Sequence, residues 1–271
     1  MTIEINPFDP GGATDFFTTT TNVAFDPADA AYNRRNSRWL AEFSRLMYVR
    51  DTAERAKYLV KGFTEKPIIG TASTEVAIFQ GPRFDVLAFR GTQLDSASGF
   101  LRDLLVNAGA ALLPWPHPGR VHSGIGQEIV KIWPRLEENL GDDHSRPLFV
   151  TGHSLGGALA TLVSAVSRKR MPRATYTFGA PRVGDEVFVA STLPVPIHRV
   201  ENAHDPVPMV PRIQAYVPAG RLQAFSARGV LPSVVTRFFV GRAVQAAVNA
   251  AGDLTKINLL DHDPLVYVRN V

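Results

Sequence analysis

Cysteine is absent from the 271 residues, so the chain can form no disulfide bond, bind no zinc through thiolates and offer no thiol nucleophile. Long apolar runs are also absent, and the best late candidate, 228–251, is interrupted by Arg237 and Arg242, which excludes a membrane span there. The first residues lack the basic and apolar regions of a signal peptide. We therefore expect a soluble chain that is cytoplasmic, exported by another route, or a mature form without its leader.

The net charge of the chain indicates no particular class of binding partner. The formal net charge is +4, from 29 Lys and Arg against 25 Asp and Glu, and the basic residues are scattered along the chain. No recognition motif accompanies them, so we expect no nucleic-acid binding. The residues suggest no metal, no cofactor and no protein partner. The length suits a single domain over 1–271 with a sizeable core, preceded within it by an irregular N-terminal arm, 1–25.

Strand and helix patterns alternate along most of the chain. Apolar strand-like runs occur at 75–80, 84–90, 148–151, 174–178 and 197–201, with helical periodicity before and between them. This alternation predicts an α/β fold with a mainly parallel central sheet and helices on both faces. Two local predictions are less regular: Asp26-Pro27 resembles the start of a helix, and 213–225 resembles short antiparallel strands.

The most informative stretch is 149–160, in which Gly152-His153-Ser154-Leu155-Gly156 follows an apolar run and precedes a helix rich in small residues. The order predicts a strand, a very tight turn and a helix, with Ser154 at the tip of the turn. Glycines flank the serine because the strand and the helix approach too closely for side chains. A serine held in this way is a candidate nucleophile, whereas the motif without its context would be weak.

A nucleophilic serine needs a base, and the sequence offers seven histidines. His153 adjoins Ser154, and we expect its side chain to point away from the hydroxyl as a structural residue behind the turn. The best candidates lie in two identical triplets, His204-Asp205-Pro206 and His262-Asp263-Pro264. Adjacent residues rarely present His and Asp to each other, so the base and its orienting acid should come from different triplets.

Two pairings are then possible. Asp205 with His262 follows the chain order serine, acid, histidine of strand–turn–helix hydrolases, and His204 with Asp263 reverses it. The order favours Asp205 and His262. For the developing oxyanion, the backbone N–H of Leu155 is one candidate donor, at a helix N-terminus. Thr92, just after the strand that ends near Arg90, is the other.

With these residues in place, the chain resembles the class 3 lipase family, the fungal-type triacylglycerol lipases of α/β-hydrolase fold. The matching motifs occur in family order over about residues 60–270: 89–92, 122–124, 151–157, 177–184, 202–211 and 261–262. The resemblance implies Ser154 as nucleophile, Asp205 as orienting acid, His262 as base, and Thr92 and Leu155 as the oxyanion hole.

The resemblance also changes the interpretation of 93–118, which becomes a lid and its following loop. The lid would lie at about 95–105, with apolar side chains that cover the site or meet lipid: Phe100, Leu101, Leu104 and Leu105. The implied substrate is an acylglycerol or another ester at a lipid–water interface, reached through transient contact with a membrane or lipid droplet. The alternatives are a phospholipase A1 or a general carboxylesterase using the same triad, or a non-catalytic lipid-binding protein.

The chain departs from secreted fungal members in lacking both a signal peptide and disulfides. We therefore expect a bacterial or intracellular branch of the family. The apolar stretch 228–251 is interpreted as a helix beside the acyl pocket or as a second element that contacts the membrane.

Overall fold

A computed structural model describes residues 15–66, 69–71, 74–91, 111–226 and 260–271. Its α-helices are α1 Arg34–Leu46, α2 Thr52–Tyr58, α3 Ser123–Leu140, α4 Leu155–Val166, α5 Glu186–Ser191 and α6 Pro264–Asn270. Its strands are β1 Thr64–Glu65, β2 Ile69–Gly70, β3 Glu75–Gln80, β4 Asp85–Phe89, β5 Leu112–Pro114, β6 Arg120–His122, β7 Leu148–His153, β8 Ala174–Phe178, β9 Ile197–Asn202 and β10 Arg221–Phe225. Short 3₁₀ turns lie at Thr18–Thr20, Val207–Met209 and Leu260–His262.

The central sheet has eight strands within the described ranges, in the order β1-β3-β4-β7-β8-β9-β10, with β2 also paired to β3. From β4 to β10 the neighbours are parallel, and β1 to β3 form the antiparallel end. This confirms the predicted mainly parallel sheet. Parallel strands place their carboxyl ends at one edge, so the loops after β4, β7, β8 and β9 meet there.

Alternation of side chains along β4 divides the core into two layers. Val86 and Ala88 face a cluster that includes α1 and α6, and Leu87 and Phe89 face one that includes α3 and α4. Strands covered on both faces are apolar in succession, which is why β4 and β7 appear as continuous apolar runs in the sequence. The helices on both faces match the predicted architecture and hold the sheet edge rigidly.

The last strand differs from its prediction. Residues 213–225 were expected to form short antiparallel strands, but β10 runs parallel to β9, with Arg221 opposite His198 and Phe225 opposite Asn202. Before β10 the chain returns toward the amino end of β9, and Val217 makes an isolated antiparallel bridge with Gly184 on the way. That long return lets β10 enter the sheet in the same direction as β9.

The first long helix also begins later than predicted. Asn33, not Asp26, caps α1 and accepts a hydrogen bond from the backbone N–H of Asn36. The Asn36 side chain in turn donates to the carbonyl of Asp26, so the chain between them forms a loop tied to the first turn. Phe25, at the end of the predicted arm, is buried and its ring stacks on Phe84 at 3.8 Å between centroids.

Several predicted features lie outside the described residues. These are Thr92, the lid residues Phe100, Leu101, Leu104 and Leu105, and the apolar stretch 228–251. The end of the interval 93–118 is described, and part of it is the strand β5, paired antiparallel with β6, where only loop was expected. None of the helices among the described residues is both long and apolar enough to span a bilayer.

Candidate active site

Ser154 occupies a strained turn between β7 and α4. Its φ of 57° and ψ of −128° are unusual for a residue with a side chain, and such strain persists only where the surroundings enforce it. Three hydrogen bonds do so: the Ser154 N–H donates to the carbonyl of Phe178 at 2.9 Å, and its carbonyl accepts from the N–H groups of Gly157 and Ala158. The predicted strand–turn–helix is therefore present, and it holds Ser154 at the carboxyl edge of the sheet.

The glycines beside the serine are there because the backbones nearly touch. A Cβ added to Gly152 would lie 2.2 Å from the carbonyl carbon of Gly156, and one on Gly156 would lie 2.3 Å from the carbonyl oxygen of Phe89. Leu155 is the first residue of α4, so its N–H lies at a helix N-terminus, where the dipole favours negative charge. Gly91, just after β4, also lies against this turn, since a Cβ there would be 2.7 Å from the carbonyl oxygen of His153.

Asp205 follows β9 at the same edge and is completely buried. Its Oδ1 accepts a hydrogen bond from the N–H of Val207 at 2.9 Å. Its Oδ2 accepts two more at 2.6 Å, from the hydroxyl of Tyr267 and from Nδ1 of His262. Three donors therefore surround this buried carboxylate and fix its orientation.

His262 comes from the C-terminal part of the chain, at the end of the 3₁₀ turn before α6, and is also completely buried. Asn202 fixes this turn, because its side-chain amide donates to the backbone carbonyl of Asp261 at 3.0 Å. Since the carboxylate of Asp205 can only accept, the hydrogen bond places a proton on Nδ1 of His262, and in the neutral ring the lone pair is then on Nε2. That tautomer is the one a general base requires.

Gly179 closes the space beside this pair. It follows β8 with a φ of 58°, and a Cβ there would lie 2.7 Å from Oδ2 of Asp205 and 3.0 Å from Cε1 of His262. Both the backbone conformation and the lack of space therefore require glycine at this position. Gly179 lies within the motif 177–184, whose sequence alone does not place this residue beside the acid and the histidine.

The alternative pairing is not the one the structure brings together. His204 is half-buried, with its Nδ1 3.5 Å from the hydroxyl of Ser226. Asp263 caps α6 and accepts from the N–H of Leu265 at 2.7 Å, and burial raises the pKa of its carboxyl. The buried hydrogen bond instead joins Asp205 and His262, the pair that chain order favours.

Three buried side chains around the site were not assigned to it from sequence. The hydroxyl of Tyr267 contacts Asp205. Both burial and the charge of Asp205 raise the pKa of this phenol, so Tyr267 stays protonated and donates to the carboxylate. The ring of His153 packs against the base, with its centroid 4.5 Å from that of His262. Tyr48, just after α1, lies with its hydroxyl 2.7 Å from Nδ1 of His153.

The carboxyl-edge loops, the strained serine turn and the buried acid–histidine pair define an α/β-hydrolase. The family model of lipase (class 3) matches residues 86–215 of this chain.

Similar proteins agree with that assignment. A lipase of Rhizopus niveus is 33% identical over 138 residues, which are 46% of this chain and 34% of the relative. Phospholipase A1-Igamma2 of Arabidopsis thaliana is 39% identical over 99 residues, 31% of this chain and 19% of the relative. A crystal structure of a lipase from Rhizopus microsporus var. chinensis shares the fold, with a TM-score of 0.56, 22% identity, and coverage of 76% of this chain and 80% of that one. The chain spans about a third of the length of the first curated relatives that it matches.

Proposed function

We propose that the protein is a serine carboxylic ester hydrolase that cleaves acylglycerols at a lipid–water interface, as a triacylglycerol lipase. Ser154 is the nucleophile, His262 the general base and Asp205 the acid that orients it. The observation that carries the proposal is the buried 2.6 Å hydrogen bond from Nδ1 of His262 to Asp205, at the sheet edge where Ser154 is held in its strained turn. The match of residues 86–215 to the class 3 lipase family model supports the same chemistry.

In the acylation step, Nε2 of His262 removes the proton of the Ser154 hydroxyl as Oγ attacks the ester carbonyl carbon. The carbonyl π electrons move onto the oxygen, which becomes an oxyanion bound by the N–H of Leu155 and by Thr92. The tetrahedral intermediate collapses, the alcohol leaves with the proton from His262, and an acyl-enzyme remains on Ser154. Water then repeats the sequence, with His262 as base, and releases the fatty acid.

Asp205 acts through charge and position. When His262 takes the proton, an imidazolium forms in a site from which solvent is excluded, and the fixed carboxylate offsets its charge. Because the hydroxyl of Tyr267 and the N–H of Val207 already hold the carboxylate, it does not have to reorganise during the reaction.

The proposed substrate class follows from the family and from the lid prediction. The side chains of Phe100, Leu101, Leu104 and Leu105 would cover the site in water and contact a membrane or lipid droplet when the lid opens. Rates on tributyrin, triolein and phosphatidylcholine, below and above the solubility limit of each, test this. A rise in rate when tributyrin forms an emulsion supports the lipase. Preference for phosphatidylcholine favours a phospholipase A1, and turnover of soluble short esters without any rise at an interface favours a general carboxylesterase.

Covalent labelling separates all of these enzymes from a lipid-binding protein without activity. A fluorophosphonate probe should label Ser154, and labelling should disappear in Ser154→Ala. Ser164, a buried serine of α4, gives the matched control, because Ser164→Ala should keep full labelling. No labelling of the folded wild-type protein would contradict the proposal.

A further inference from the structure

The ring of His153 packs against that of His262, and the hydroxyl of Tyr48 contacts His153. We propose that His153, held in place by Tyr48, is a positioning residue that fixes the imidazole of His262 relative to Ser154. The inference rests on the proposed role of His262 as the general base. It assigns a function to a side chain that was expected to be a structural residue behind the turn.

The contact with His262 is close and completely buried. The two imidazole centroids are 4.5 Å apart with 37° between the ring planes. The ring of Tyr267 also packs against His153, with 5.5 Å between the ring centroids and 64° between the ring planes. Interior packing of this density restricts rotation of a ring about its Cβ–Cγ bond. His262 is thus fixed by a hydrogen bond at Nδ1 and by an aromatic ring against it.

Tyr48 sets the orientation of His153. Its hydroxyl lies 2.7 Å from Nδ1 of His153, within hydrogen-bond distance, and burial raises the pKa of the phenol, so the hydroxyl keeps its proton. Gly91 makes the arrangement possible, because a Cβ there would come within 2.1 Å of the Tyr48 hydroxyl oxygen.

The charge state of His153 suits this role. Burial lowers the pKa of His153 well below its ordinary value, and the neighbouring His262 lowers it further. The other titratable groups nearby are Tyr48 and Tyr267, with Arg90 and Asp263 acting on Tyr48 from farther away. A neutral ring can lie against His262 without opposing the imidazolium that forms there during the reaction, whereas a second positive charge would oppose it.

The connection to the nucleophile is covalent. His153 is the last residue of β7 and Ser154 follows it directly, so any contact of His153 with His262 also sets the distance between base and nucleophile. Strand β7 pairs with β4 and β8 and is therefore a rigid reference. Errors of about 1 Å between reacting groups cost on the order of a hundredfold in rate, which gives such a support a measurable effect.

Kinetics of three variants test the inference on a soluble short-chain ester. His153→Ala removes the ring, and we expect kcat to fall by about 10- to 100-fold with little change in KM. Tyr48→Phe keeps the packing but loses the hydroxyl, and should lower kcat by about 3- to 10-fold. His153→Phe restores an uncharged ring and should recover part of the loss.

The matched control is His198→Ala. His198 is also buried, its centroid is 4.6 Å from that of Tyr176, and its Nε2 lies 2.9 Å from the carbonyl oxygen of Ala30, at the amino end of β9. We expect its loss to lower the melting temperature while kcat stays at the wild-type value. The inference is wrong if folded His153→Ala and Tyr48→Phe both keep the wild-type kcat. Substantial activity in folded His262→Ala would instead overturn the proposed function.

Discussion

The two His-Asp-Pro triplets have the same sequence and opposite arrangements. In 204–206 the aspartate is buried in the site and the histidine is half-buried beside it. In 262–264 the histidine is buried in the site and the aspartate caps a helix. Local sequence therefore does not decide which member of a triplet enters the site. The elements on either side of each triplet decide it.

Backbone interactions are similar in the two triplets. Each aspartate accepts a hydrogen bond through Oδ1 from the N–H two residues later, Val207 in one case and Leu265 in the other. The second oxygen makes the difference. Oδ2 of Asp205 accepts from the hydroxyl of Tyr267 and from Nδ1 of His262, since α6 and the 3₁₀ turn before it bring these two residues from the C-terminal part of the chain to the end of β9.

The largest difference should appear when each of the two histidines is replaced by alanine. We expect His262→Ala to lower kcat by about 10⁴-fold or more, since a nucleophile without its base loses most of its reactivity. His204→Ala should only weaken hydrolysis. Both are measured as initial rates on a soluble ester, with circular dichroism to confirm folding. The reverse result would support the alternative pair, His204 with Asp263.

A somewhat smaller difference should appear when each of the two aspartates is replaced by asparagine. Asp205→Asn keeps the size of the side chain but removes the charge and can stabilise the wrong tautomer of His262, so kcat should fall by about 10³- to 10⁴-fold. Asp263→Asn keeps a capping group and should leave kcat close to wild type. Equal losses in the two variants would mean that Asp205 has no special role.

Tyr267→Phe should have an intermediate effect. It removes one hydrogen bond to a buried charge, and such bonds contribute about 1.5–3 kcal/mol, so kcat should fall by about 10- to 100-fold with KM nearly unchanged. The ring itself, which packs against His153 and Phe225, is retained. Tyr176→Phe, at a buried tyrosine that bonds the carbonyl of Ala31, is the matched control and should leave kcat unchanged. A wild-type kcat in Tyr267→Phe would show that the other donors hold Asp205 without it.

The smallest effect concerns stability and pH. Burial raises the pKa of Asp263 in the folded chain, so folding takes up a proton there. The contribution of this proton uptake to the free energy of unfolding is fully present below the unfolded pKa of about 3.9 and is lost as pH rises through the folded pKa. Asp263→Asn should therefore unfold at higher denaturant than wild type at pH 7, and the difference should shrink as pH falls toward 4. A variant that is less stable at pH 7 would contradict this sign.

Much of the site could be predicted because its strongest signals are local. A serine between two glycines, after an apolar run and before small residues, specifies a strained strand–turn–helix, and Ser154 lies in one. The Asp205 and His262 pair required only the order of residues along the chain. The parallel sheet followed from alternating strands and helices, since buried parallel strands are apolar on both faces.

The remainder depends on contacts between distant parts of the chain. Tyr48 and His153 are separated by 105 positions, and Asp205 and Tyr267 by 62, so no spacing in the sequence relates them. The direction of β10 depends on the path of the chain before it, and the start of α1 on whether Asn33 or Asp26 provides the cap. Thr92 and the lid residues remain predictions.

The most direct test of the central claim is to identify the residue that carries the acyl group during turnover. Wild-type protein is mixed with p-nitrophenyl butyrate and quenched with acid during turnover, and the butyryl group is located by mass spectrometry of the digested protein. The account predicts a mass increase on the peptide that contains Ser154, its absence in Ser154→Ala, and much slower formation in His262→Ala than in His204→Ala. A butyryl group on another residue, or hydrolysis by folded Ser154→Ala at the wild-type rate, would contradict it.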